Sequence, residues 1–102
     1  MINREKLRSA LIVSEAVRLK PYKDSVGKLT IGVGRNLEDV GLTYAEVMLM
    51  LEHDIDLLFN DVQKISGFNQ LDEIRKRVLL EMGFNLGIAG LKKFKKMWEA
   101  IL

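Results

Sequence analysis

Glu15-Ala16-Val17-Arg18-Leu19-Lys20-Pro21-Tyr22-Lys23-Asp24-Ser25-Val26-Gly27-Lys28-Leu29-Thr30-Ile31-Gly32-Val33-Gly34-Arg35 is the stretch on which the fold turns, because the hydrophobic period changes inside it. Ahead of it, Leu7, Ala10, Leu11, Ser14 and Val17 recur at i, i+3, i+4, i+7 and i+10. That stripe predicts an amphipathic helix capped by Asn3. Pro21 disfavours helical backbone at Lys20, so the helix is expected to stop before it. From Leu29 onward the period is two. Leu29, Ile31 and Val33 alternate with Lys28, Thr30, Gly32 and Gly34, which predicts a short hairpin with Thr30 on the face opposite Leu29 and Ile31. Turn-forming residues between Tyr22 and Gly27 stand in front of that strand.

Working outward, Thr43-Tyr44-Ala45-Glu46 fits a capping box, a hydroxyl cap with a glutamate three residues on. Val47, Leu51, Ile55, Leu58, Val62 and Ile65 then continue at helical spacing, with Gly67 suited to the stop. This predicts a long connecting helix, apolar on one side and acidic on the other. Asn69 is expected to cap a further helix bearing Leu71, Ile74, Val78, Leu79, Met82 and Leu86 and ending near Gly87. Its apolar arc widens after Val78, so it should be the most buried. After Gly90, the residues Leu91, Phe94, Met97, Trp98, Ile101 and Leu102 form a last apolar face opposite Lys92, Lys93, Lys95 and Lys96. The expected fold class is α+β, mostly helical with one small antiparallel sheet near the N-terminus. The 102 residues suit a single domain. Helix 1 and a small β lobe take residues 1–42, and the connecting helix with a partial helical lobe takes residues 43–102.

Composition narrows the chemistry. Apolar residues at 48% and charged residues at 29% describe a globular chain. No apolar run approaches the ~20 residues of a membrane span, so a membrane protein is not expected. The start, Met1-Ile2-Asn3-Arg4-Glu5-Lys6, does not read as a secretory signal. With no cysteine and one histidine, disulfides, thiol catalysis and multi-histidine metal sites are excluded, and neither metal nor cofactor is expected. Carboxylates, hydroxyls, lysine and arginine remain. The net charge of +2 is too small to argue for nucleic acid, and no aromatic platform or recognition motif accompanies the basic residues from Arg75 to Lys96. Residues 36–63, by contrast, hold seven acids and no lysine or arginine. Such runs are usually solvated helix faces.

Within the opening stretch, Glu15 falls near the end of helix 1, Asp24 enters the hairpin and Thr30 projects from the strand. Two carboxylates with a water between them are what glycosidic-bond hydrolysis requires: one acid to protonate the leaving oxygen, one base to direct water at the anomeric carbon. The same residues also read as a late-helix acid paired with Arg18 and an ordinary turn aspartate. Gly32 and Gly34 either let a sugar approach the strand closely or mark a bend. His53 reads as a solvated residue of the acidic face, and Trp98 with Phe94 as core.

The run E-x8-D-x5-T-x-G-x-G (Glu15, Asp24, Thr30, Gly32, Gly34), with Tyr22 and Gly27, resembles the active-site segment of the T4-type phage lysozymes, glycoside hydrolase family 24. The likeness resumes at Leu71-Asp72-Glu73-Ile74-Arg75-Lys76 and at Met82-Gly83-Phe84-Asn85-Leu86-Gly87-Ile88-Ala89-Gly90-Leu91. The resemblance implies a lysozyme-like fold and a muramidase, or endolysin, that hydrolyses the β-1,4 bond between N-acetylmuramic acid and N-acetylglucosamine in bacterial peptidoglycan with inversion. It implies Glu15 as general acid and Asp24 and Thr30 as the groups that position the attacking water. Tyr22, Gly32, Gly34, Phe84 and Asn85 are implied along the substrate. Burial is then expected to raise the Glu15 pKa while Asp24 stays ionised. By the same resemblance the enzyme would wait in the bacterial host cytoplasm and reach the wall after holin-type release. Arg35 stands where the family commonly has histidine, which puts a local ion pair of that family in question. The family continues with further helices, so the C-terminal lobe reads as incomplete. Two outcomes follow as expectations: a non-catalytic lysozyme-like module, or a homodimer closing the apolar face of residues 86–102.

Overall fold

A computed structural model describes residues 1–92 of the chain. The fold is α+β, as the change of period predicts, and it divides into two compact units, Met1–Glu46 and Val47–Leu102.

In the first unit, α1 spans Arg4–Glu15, and Asn3 caps it by accepting the Lys6 N–H at 3.0 Å. The helix stops well short of Pro21. Ala16 takes φ 63° and ψ 166° while its N–H still donates to the Ile12 carbonyl at 2.9 Å. That conformation turns the chain at once into β1, Arg18–Lys23, so Val17 lies outside the helix. Pro21 is therefore a strand residue. It is tolerated because β1 is an edge strand whose pairing with β2 (Leu29–Gly32) shifts register between Arg18 and Tyr22, where a missing N–H disrupts little. A third strand, β3 (Arg35–Asn36), pairs antiparallel with β2 and was not legible in the alternation. Beyond Thr30, which is buried, this unit is tied together by polar bonds. The Leu29 N–H donates to Glu38 Oε1 at 2.9 Å, Asn36 Oδ1 accepts the Asp39 N–H at 2.9 Å, and Lys28 Nζ lies 3.5 Å from Asp39 Oδ1.

The capping box forms as read: the Glu46 N–H donates to Thr43 Oγ1 at 3.1 Å and the Thr43 N–H to Glu46 Oε1 at 2.8 Å. It starts α2, Tyr44–Val62. Ile65 lies past the end of that helix. Gly67, at φ 89°, precedes a short 3-10 turn, Phe68–Gln70. The cap of α3 (Glu73–Lys92) is Asp72, whose Oδ1 accepts the Arg75 N–H at 2.8 Å, and not Asn69. Val62, Phe68 and Leu79 are fully buried, with Leu58, Ile65, Leu71, Leu80 and Met82 packed against them. The Phe59 ring meets Phe68 edge-on, centroids 6.1 Å apart. As the widening apolar arc predicts, α3 holds more buried positions than α1 or α2 among the described residues: Leu79 and Gly83, against none in α1 and Val62 in α2. Ile74, 66% exposed, and Phe84, 53%, lie on its open side. Leu79, Leu80 and Met82 carry its contact with the cluster. At Gly87 (φ 74°, ψ 161°) the helical path breaks, where the glycine predicted an end. Phe94, Met97, Trp98, Ile101 and Leu102, the bulk of the proposed dimer face, lie outside the described residues.

Candidate active site

Glu15 is the last residue of α1, and the turn at Ala16 fixes where its side chain goes. It reaches Gly34, just beyond β2. A methyl group on Gly34 would come within 3.0 Å of Glu15 Oε2 and 3.1 Å of its carboxyl carbon. Gly34 is thus needed twice, for its φ of +67° and for the carboxyl resting on it.

Asp24 and Thr30 are fastened to the same peptide. Asp24 Oδ1 accepts the Lys28 N–H at 2.8 Å and the Val26 N–H at 3.0 Å, and the Asp24 N–H donates to the Lys28 carbonyl at 2.9 Å. Thr30 Oγ1 donates to that same carbonyl at 2.8 Å. The aspartate is therefore a turn residue as well as a site candidate, and the turn chemistry is what orients it. Its Oδ2 has no hydrogen-bond partner among the described residues. Thr30 is only 3% exposed. Its proton is committed to Lys28, so its oxygen is left to accept.

Two expectations are corrected here. Glu15 is exposed, so the burial expected of it is absent, and Thr30 is the buried member instead. Nor does Arg18 pair with Glu15: its guanidinium lies over the Tyr22 ring, 4.9 Å from the centroid. Arg35, standing where the family commonly has histidine, makes an ion pair of its own. Arg35 donates through both terminal nitrogens to Glu46, at 2.9 and 2.8 Å, and to the Gly41 carbonyl at 3.1 Å. Arg35 and the Thr43 cap hold the Glu46 carboxyl down at about 2.

The implied substrate residues divide between the units. Tyr22 pairs in register with Thr30, and Gly32 with Arg18. Phe84 and Asn85 belong to the second unit, where both are exposed. Phe84 lines an apolar groove of about 330 Å³ with Leu51, Ile55, Leu58 and Leu80.

The Phage lysozyme family model matches residues 13–99, most of the chain and all of this site. The chain belongs to the phage lysozyme family. Among relatives, "Probable T4-type lysozyme 2" of Dictyostelium discoideum is 26% identical over 125 aligned positions, covering 93% of this chain and 74% of that protein. The SAR-endolysin of Escherichia phage Mu is 28% identical over 92 residues, covering 87% of this chain and 53% of that protein, so the chain spans about half of that relative's length. The family is one of lysozyme-type glycoside hydrolases that act on peptidoglycan. Among the described residues no helix is long and apolar enough to cross a membrane, and no group of histidine, cysteine and carboxylate side chains is placed to hold a metal ion.

Sequence reading missed three residues of this neighbourhood. Lys28 matters through its backbone, which no side-chain pattern reveals. Ala16 adopts a conformation that its residue type conceals. Arg18 rests on the Tyr22 ring, four residues along a strand whose register shifts between the two, an irregularity that spacing does not reveal.

Proposed function

We propose that this chain hydrolyses the β-1,4 bond between N-acetylmuramic acid and N-acetylglucosamine with inversion, using Glu15, Asp24 and Thr30. The observation that carries the reading is the shared anchoring of Asp24 and Thr30 on Lys28. A water held by both must donate to both: one O–H to the Thr30 oxygen, whose own proton is engaged, and one to Asp24 Oδ2. Its lone pair is then free to attack the anomeric carbon. Asp24 takes the proton from the water as the bond forms, and Glu15 gives its proton to the departing glycosidic oxygen. Gly32 and Gly34 keep the strand low beside the sugar, and Tyr22, Phe84 and Asn85 contact substrate. Action on the wall follows holin-type release from the host cytoplasm.

Glu15→Gln tests the assignment, since it keeps the shape and removes the proton. Lysis of a peptidoglycan suspension, followed by turbidity, should fall by at least about a hundredfold with an unchanged circular dichroism spectrum. Retention of most activity would show that Glu15 is not the acid. Thr30→Ala should be severely impaired as well, with the loss in kcat.

One observation favours a second reading, a non-catalytic lysozyme-like module that binds glycan. Glu15 is exposed, and a general acid benefits from a desolvated carboxyl. Binding of the parent chain to peptidoglycan without any lysis is the outcome that selects it.

A further inference from the structure

One face of the hairpin holds more than the water-positioning pair. Residues paired across antiparallel strands project to the same side of the sheet. Tyr22 opposite Thr30, and Arg18 opposite Gly32, therefore share one face. The contact of the Arg18 guanidinium with the Tyr22 ring agrees with this placement. At Gly32 the face is open: no atom lies within 4 Å of the place a side chain would occupy. Gly32 thus leaves an open position two residues along the strand from Thr30 and directly across from Arg18.

The chemistry beside that position is specific. A guanidinium stacked on an aromatic ring spends its flat face on the ring and keeps its N–H edge for other partners. Among the described residues Arg18 makes no ion pair with a carboxylate. The strand that carries it, Arg18–Lys23, also holds Lys20 and Lys23 and no acid. A planar fork of N–H donors in a positive strand is suited to a carboxylate.

We propose that Arg18, seated on Tyr22 beside the open position at Gly32, binds a carboxylate pendant from the glycan strand. This rests on the glycan-hydrolase reading above, because it takes the Thr30–Gly32 face as the one along which substrate lies. The sugar rings are neutral. The muramyl substituents are not: they end either in a free lactyl carboxylate or in the carboxylates of an attached peptide. Arg18 would thereby favour glycan with acidic substituents over an uncharged chain of the same sugars.

Calorimetry on the Glu15→Gln background, where no cleavage consumes the ligand, separates the possibilities. The probes are three tetrasaccharides of alternating N-acetylglucosamine and N-acetylmuramic acid: peptide-bearing, peptide-free with free lactyl groups, and peptide-free with the lactyl groups converted to methylamides. A carboxylate-bearing probe should bind about tenfold more tightly than the methylamide, and adding Arg18→Gln should abolish that difference while leaving methylamide binding unchanged. Whichever carboxylate-bearing probe shows the difference identifies the source. Arg18→Lys should retain part of it, since charge remains and the planar fork does not. Equal binding of all three probes, an Arg18→Gln effect of the same size on every probe, or no binding by any probe would overturn the proposal. The hydrolase reading stands or falls separately, on whether Glu15→Gln stops lysis by the parent chain.

Discussion

At the scale of single residues, the bend between helix and sheet is held by an alanine in a backbone region ordinarily left to glycine. Ala16, at φ 63° and ψ 166°, directly follows the candidate acid and sets the direction in which Glu15 leaves the helix. Such a residue stores about 1–3 kcal/mol of strain, whereas glycine costs roughly 0.5–1 kcal/mol in the unfolded chain. Ala16→Gly should therefore stabilise the protein by about 1 kcal/mol, read as a higher Tm; a lower one would show that the strain is not there. Gly34→Ala is the opposite case. The added methyl meets Glu15 Oε2 at 3.0 Å and the backbone there has φ +67°. It should cost roughly 1–2 kcal/mol in stability, and activity should fall by more than that loss explains, because Glu15 is displaced. The comparison needs kcat/KM and a melting curve measured on the same variant.

At the scale of elements, the start of α2 joins two devices in one glutamate. Glu46 closes the capping box with Thr43 and receives both arms of the Arg35 fork. Thr43→Ala should cost about 1 kcal/mol, in the ordinary range for a lost N-cap. The pH dependence follows from the depressed carboxyl. Glu46 holds its proton at about 2 when folded against an ordinary value of 4.5, so its contribution is fully present above the ordinary value. It is lost as the pH falls from there through about 2. Glu46→Gln should flatten this acid limb of stability, leaving the part due to Asp72, whose carboxyl is also lowered by the Arg75 N–H at the cap of α3. An unchanged acid limb in Tm measured from pH 5 to pH 2 would remove Glu46 from the account. At α3 itself, Asp72→Ala should lower stability while Asn69→Ala leaves it within about 0.5 kcal/mol, since Asn69 is exposed and is not the cap.

At the scale of the whole molecule, two units are held by different forces. The first is framed by ion pairs and side-chain bonds to backbone, and the second packs Val62, Phe68 and Leu79 out of water. Leu79→Ala should cost at least roughly 1.5–3 kcal/mol, the worth of a buried leucine side chain. Leu7→Ala, at a position 47% exposed, should cost clearly less, and urea titrations of both variants compare them. The same contrast explains what could be read beforehand. The sequence by itself determined α1, the hairpin, the capping box of α2 and the break at Gly87, because each depends on residues within a few positions: helical spacing, alternation, a hydroxyl three residues from a glutamate, a glycine able to take positive φ. It also determined the family, through the spacing of Glu15, Asp24 and Thr30. The tertiary structure alone decided that Thr30 is buried and Glu15 exposed, that Arg18 rests on Tyr22, that Arg35 finds Glu46, and that a third strand pairs with β2. Those outcomes depend on register and on which charged groups meet across a turn, and no local pattern encodes the partner of a long, flexible arginine.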